Sequence, residues 1–258
     1  MSKAKIRVEE YKGKIVDQMP LMLSRDVAPL SVAEFMGNRK VIIKQLDDVH
    51  SSTSDLAAYG CKERGDEIKV ILTVDNQGRI TKNGRRALEL ISSSRGLASR
   101  DFPNGTFGGS SGVVLDDKIY DALNWPGVIP LSRRELEKYG INRNLTEVQV
   151  LNNPGWRVLL RHPDAVPAEF AYDKGFMGEV VGKTFAEMKR RYDRTDGMGI
   201  YPDEAKEFLS LGVMCIQMLG NGSVVDGSSF LDSSYSRLVG VAPKAQHALT
   251  GIARFFRI

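Results

Sequence analysis

The chain has 258 residues, with 36 basic against 32 acidic side chains for a formal net charge of +4, and is 42% hydrophobic. That balance excludes a wholly disordered chain, which needs low apolar content and high net charge. With 25 Gly and 10 Pro it is no collagen-like or low-complexity chain, and two cysteines exclude a disulfide scaffold.

Residues 1–10 are polar and lack the apolar run of a signal peptide, so none is expected. Ser31 and Glu34 form a capping box, with Leu30 and Phe35 at the staple positions, so a helix is predicted from Ser31. His50 follows Asp47 and Asp48 and precedes Ser51, Ser52, Thr53, Ser54 and Asp55. A base, an acid and hydroxyls at this spacing are the residue types of nucleophilic catalysis. His50 and Asp47 are therefore the candidate catalytic residues; turn and cap roles are the competing reading. Ile68, Val70, Leu72 and Val74 alternate, Asp75–Gly78 reads as a turn and Arg79–Thr81 as the return, which predicts a hairpin over 68–81. A short helix is predicted over 85–91.

Ser92 to Gly112 is rich in Ser and Gly. Its glycines would let backbone amides turn toward an anion, with hydroxyls from Ser110 and Ser111 and charge from Arg95 and Arg100. Those four are candidate ligand-binding residues; a linker or plain surface loop is the alternative. Ser132 and Glu135 repeat the capping box, and that helix is predicted to stop at Gly140. Trp125 and Trp156 read as loop anchors or core. His162, followed by Pro163, reads as a helix stop.

Gly178, Gly182, Lys183 and Thr184 approach a phosphate-binding loop, but three residues separate the glycines where four are needed. Thr184 and Glu187 instead predict a third helix start, with Phe185, Met188 and Tyr192 on one stripe. Lys189, Arg190 and Arg194 are candidate phosphate contacts. Against that, Glu187–Arg191 and Lys189–Asp193 have the i,i+4 spacing of a salt-bridged, solvated helix face. The run from Asp193 lacks the position-5 oxygen of a calcium loop and has Met198 where its glycine belongs, and no two His or Cys stand at zinc-ligand spacing. No metal or cofactor is expected. A helix is predicted from Pro202. Leu211–Leu219 is apolar on all sides and reads equally as buried helix or buried strand. Residues 220–236 form a second Ser/Gly stretch, and His247 is expected on a C-terminal helix.

These signals sum to a mixed α/β or α+β globular chain with helices in modest excess over strands. Two organisations stay open. One has an N-terminal lobe over 1–95, the Ser/Gly segment 96–112 as boundary, and a helix-rich lobe over 113–258; the other is a single domain over 1–258. No family motif is complete, and whether the chain is an enzyme stays open. The first functional expectation is a protein of the cytoplasm, where both cysteines stay reduced. It would bind nucleic acid or another polyanion through dispersed basic clusters, in keeping with a pI near 9.0. An enzyme acting on a small, phosphorylated substrate at the Ser/Gly loop is the second expectation. A structural or assembly subunit forming homo-oligomers is the third. No membrane partner is expected, because no apolar run reaches the roughly 20 residues of a span.

Overall fold

The computed structural model describes residues 8–46, 49–61, 67–93, 112–202, 209–219, 222–227, 231 and 234–241. Its spine is an antiparallel pair, β3 (Val49–Tyr59) and β9 (Ser210–Leu219). The pairing runs from Val49 opposite Met218 to Ser52 opposite Cys215, slips, and resumes from Leu56 opposite Val213 to Tyr59 opposite Ser210. The outer neighbours of the pair change across that slip. On one side of it β3 lies beside β11 (Arg237–Val241), which also carries β1 (Glu9–Lys12) and β2 (Ala28–Pro29). On the other side β3 pairs with β4 (Glu67–Ile71), which carries β6 (Val128–Ser132). β9 divides likewise. Its start pairs with β5 (Val113–Val114), and its end with β10 (Gly222–Asp226), followed by β8 (Asp196–Tyr201) and β7 (Asn144–Thr146). The result is one sheet of eleven strands that forks around a central ribbon.

The ambiguity at 211–219 resolves as strand because β9 feeds two cores from alternate side chains. Met214 and Ile216 join one core with Phe35, Trp156 and Phe185; Leu211 and Val213 join the other with Ile15, Met19 and Leu88. A strand covered on both faces reads as a continuous apolar run, without the alternation that marks a half-buried one. The first core is coated by α2 (Val32–Gly37), α3 (Arg39–Leu46), α6 (Arg133–Tyr139), α7 (Glu147–Asn152), α8 (Pro154–Leu159) and α9 (Phe176–Tyr192). The second lies under α1 (Ile15–Ser24), α4 (Lys82–Ser93) and α5 (Asp117–Ala122).

The expectation of a mixed chain weighted toward helix is corrected by this sheet. Strands drawn from both sides of residues 96–112 build one sheet through both cores, and the helices are coats on its two faces. Apart from the 17-residue α9, no helix among the described residues exceeds the 12 residues of α4. Capping boxes are loud local signals and buried strands are quiet ones, which is why the sequence overstates the helices.

Local signals fare unevenly. At Ser31 the complete box forms: its hydroxyl accepts from the Glu34 amide, and Glu34 accepts from the Ser31 amide at 2.8 Å. Ser132 caps α6, and Gly140 ends it at a φ of 99°, where an L side chain would be strained. The predicted start at Thr184 is corrected. α9 begins at Phe176, and the Thr184 hydroxyl donates to the Val180 carbonyl at 2.9 Å inside the helix. Met177, Val180 and Val181 extend the buried stripe N-terminally, so packing prevails over the local cap. The amides of 178–184 belong to this helix, away from any phosphate loop.

The hairpin over 68–81 forms only at its turn end, where the amides of Asp75 and Thr81 bond the carbonyls of Arg79 and Thr73 at 2.9 Å. Both edges of β4 are taken, by β3 and β6, and the return segment makes one bridge, Val74 to Ile80. The turn itself forms, with Asp75 Oδ1 accepting from the amides of Gln77 and Arg79 at 2.8 and 2.9 Å. The helix predicted at 85–91 is α4, which reaches back to Lys82. The helix expected at Pro202 and the one expected around His247 fall outside the described residues.

Candidate functional site at the loop end of the ribbon

Where the sheet forks, the ladder of β3 breaks between Ser52 and Leu56 and leaves backbone groups to satisfy. Side chains do this. Thr53 Oγ1 donates to the Met214 carbonyl at 2.9 Å and accepts from the Asp55 amide at 3.1 Å. The Ser54 amide reaches the Leu30 carbonyl, and Thr73 Oγ1 donates to the Ser54 carbonyl at 2.8 Å. Asp55 is fully buried; its Oδ2 accepts from the Val32 amide at 2.8 Å and its Oδ1 from Arg161 Nη2 at 2.7 Å. Arg161 is 2% exposed and holds a left-handed backbone, φ 60°. Burial pushes the Asp55 carboxyl up, against the pull of the Arg161 charge. The hydroxyl-rich run that suggested chemistry thus supports a strand fork from inside the protein.

His50 lies beyond the fork, toward the opposite end of the ribbon. Its Nε2 is 2.8 Å from Cys215 Sγ, and Asp226 stands opposite Cys215 on β10. Burial, then the Asp226 charge, push the Cys215 thiol up; desolvation lowers His50 despite Asp226. Both shifts favour a neutral pair in which the thiol donates to the imidazole, and neither favours the thiolate that a nucleophile requires. Cys215 is 165 residues from His50 in the chain, which is why spacing could not find it. Asp47, the expected partner, falls outside the described residues.

The basic helix end is largely matched by carboxylates. Lys189 pairs with Asp193, Arg191 with Glu187 at 3.1 Å, and Arg194 with Asp196 at 3.3 Å; Arg190 is exposed on the same turn. The Lys189 ammonium holds the Asp193 carboxyl below the ordinary range. His162 follows α8, its Nδ1 accepting from Arg157 Nη2 and the Asp164 amide at 3.1 and 3.2 Å, and burial, then the Arg157 charge, keep it below its usual value. A hollow of about 450 Å³ lies between β1 and α1, where Tyr11 donates to Glu9 and Arg25 stands over the Tyr11 ring. Among the described residues no three His, Cys, Asp or Glu side chains converge as a metal site, and no helix is long and apolar enough to cross a membrane.

Arg95, Arg100, Ser110 and Ser111 fall outside the described residues, but the chain ends that carry such segments are placed. Tyr59 stands opposite both Ile68 and Ser210, and Val114 opposite Ser210. The Gly60 amide bonds the Glu67 carbonyl at 2.8 Å, and the Leu115 amide the Leu209 carbonyl at 2.9 Å. A Cβ on Gly112 would come 2.7 Å from the Leu211 carbonyl oxygen, so the backbone crosses β9 closely there. Both flanks of 62–66 therefore lie at one end of the ribbon, together with Gly112 and Leu209, the residues that follow 94–111 and 203–208. No spacing in the sequence indicates this, since it depends on strand register.

No family model matches the chain, and no curated protein does. A solved structure described as "Accommodation of massive sequence variation in Nanoarchaeota by the C-type lectin fold" is similar, with a TM-score of 0.53. The fold is a C-type lectin fold. The likeness spans 93% of this chain and 100% of that one at 12% identity, so it concerns architecture alone. It agrees with the forked sheet in correcting the helix-weighted expectation.

Proposed function

We propose that the chain is a binding module that presents its ligand contacts on the segments gathered at the loop end of the ribbon. The observation that carries this reading is that both flanks of 62–66 and the residues following 94–111 and 203–208 meet around Tyr59, Gly112 and Ser210, on strands that feed two packed cores. Loops held by a rigid scaffold are where binding residues concentrate. The C-type lectin fold supports it further, since the similar nanoarchaeal structure is described as accommodating massive sequence variation. Arg95, Arg100, Ser110 and Ser111 are the contacts we assign, and a polyanion such as nucleic acid is the ligand class that suits two guanidiniums and two hydroxyls. The helix cations Lys189 and Arg194 are second in line, because carboxylates already face them. The neutral His50–Cys215 pair supports a binding role over a catalytic one. We retain a cytoplasmic location, in keeping with the two free cysteines.

Fluorescence anisotropy with mixed-sequence RNA and DNA at about 50 and 200 mM salt tests this reading. Binding that weakens steeply with salt is expected. The Arg95→Ala/Arg100→Ala variant should flatten the log–log salt slope by about one per arginine, with little change for Lys189→Ala/Arg190→Ala/Arg194→Ala. The reverse ranking moves the site to the helix, and absence of binding at both salts overturns the polyanion assignment. Light scattering on the same samples reads the oligomeric state that an assembly subunit requires.

A further inference from the structure

Three ionisable groups from distant parts of the chain meet inside the first core at the fork. Asp55 and Arg161 are 0% and 2% exposed, and Glu34 is 7% exposed. The two carboxylates sit on consecutive backbone amides. Glu34 Oε2 accepts from Ser31 N and Asp55 Oδ2 accepts from Val32 N, both at 2.8 Å. Arg161 is the cation that faces them among the described residues, and it bonds Asp55 Oδ1, leaving Glu34 without a matched charge. Tyr172 is a further titratable neighbour, and burial pushes its hydroxyl up. Two acids and one guanidinium, all ionised, would leave one uncompensated negative charge in the core, which costs far more than taking up a proton.

We propose that the cluster carries one bound proton on Glu34 in the folded chain, making the fork a pH-sensitive device that tightens in acid and loosens in alkali. Asp55 stays ionised against Arg161, and Glu34 remains an acceptor for the Ser31 amide and hydroxyl through Oε2. Burial raises the Glu34 carboxyl against the Ser31 hydrogen bonds and the Arg161 charge, with Asp55 adding to the rise. Unfolding then releases a proton to water across the window between the ordinary carboxylate value and the raised one. The stabilisation is complete below the ordinary value and is lost as pH rises through the raised one.

Urea unfolding of the whole chain from about pH 5 to 9 tests the proposal, comparing wild type with Glu34→Gln and Asp55→Asn. The ratio of the wild-type to the Glu34→Gln unfolding constant should rise with pH, by up to about tenfold per unit inside the window. A ratio independent of pH overturns the proposal, as does a pH dependence that persists in Glu34→Gln and vanishes in Asp55→Asn. Should Glu34→Gln not fold, the carboxyl-carbon NMR titration of Glu34 in the unmutated chain decides. A midpoint above the ordinary carboxylate range supports the bound proton, and one inside that range overturns it.

Discussion

Asp55 and Arg161 show how much a single pair can carry at the fork. Their bond is 2.7 Å with both side chains out of water, and the other Asp55 oxygen holds the Val32 amide. Removing one partner of such a pair leaves the other charge buried and unmatched, at a cost of about 3–5 kcal/mol. Arg161→Met should therefore lower unfolding free energy by that amount in urea titration. Arg194→Met removes an ion pair with Asp196 that is open to solvent and should cost at most about 1 kcal/mol. Equal losses would mean that the buried pair is no more than packing. Cys215 gives a second residue-scale expectation. Its thiol is buried, protonated and 2.8 Å from His50 Nε2, so a thiol reagent should modify it only after unfolding. Fast modification of the native chain at neutral pH would contradict the neutral-pair reading.

Two Ser/Thr–Glu boxes of the same spelling have different fates at the scale of elements. Ser31 starts α2 with a full capping box, and its hydroxyl also donates to Glu34 Oε2. Thr184 is one helical residue among seventeen in α9, its hydroxyl turned back on Val180. Losing a true cap costs about 1–2 kcal/mol. Ser31→Ala should reach that range, while Thr184→Ala loses no cap and gains helix propensity, so thermal unfolding should move much less. A larger loss at Thr184 would restore it as a helix start. Gly84 marks another element-scale constraint. A Cβ there would stand 2.1 Å from the Thr73 carbonyl oxygen, so α4 crosses the strand end at a distance only glycine permits.

For the whole molecule, stability should be graded outward from the ribbon. β3 and β9 are paired on both edges and contribute to both cores, whereas β1 and β7 end the path through the sheet. Amide hydrogen exchange should be slowest for Leu56–Ala58 and Leu211–Ile216 and markedly faster for Glu9–Lys12 and Asn144–Thr146. Uniform protection would mean that the fork is not the organising core.

What the sequence determined by itself is what neighbouring residues decide among themselves. The Ser31 box, the Gly140 stop, the Asp75 turn and α4 were legible because each rests on hydrogen bonds or an apolar stripe within a few residues. The forked sheet, β9 as a strand, the true start of α9, the Asp55–Arg161 bond across 106 residues and the His50–Cys215 contact were decided by tertiary structure alone. Arg95, Arg100, Ser110 and Ser111 were legible as polar residues of a Gly-rich stretch, whereas the meeting of Gly112 and Leu209 beside Tyr59 depends on strand register. The physical reason is that these features gain their free energy from burial and pairing between distant segments, and local composition carries no record of which segments will meet.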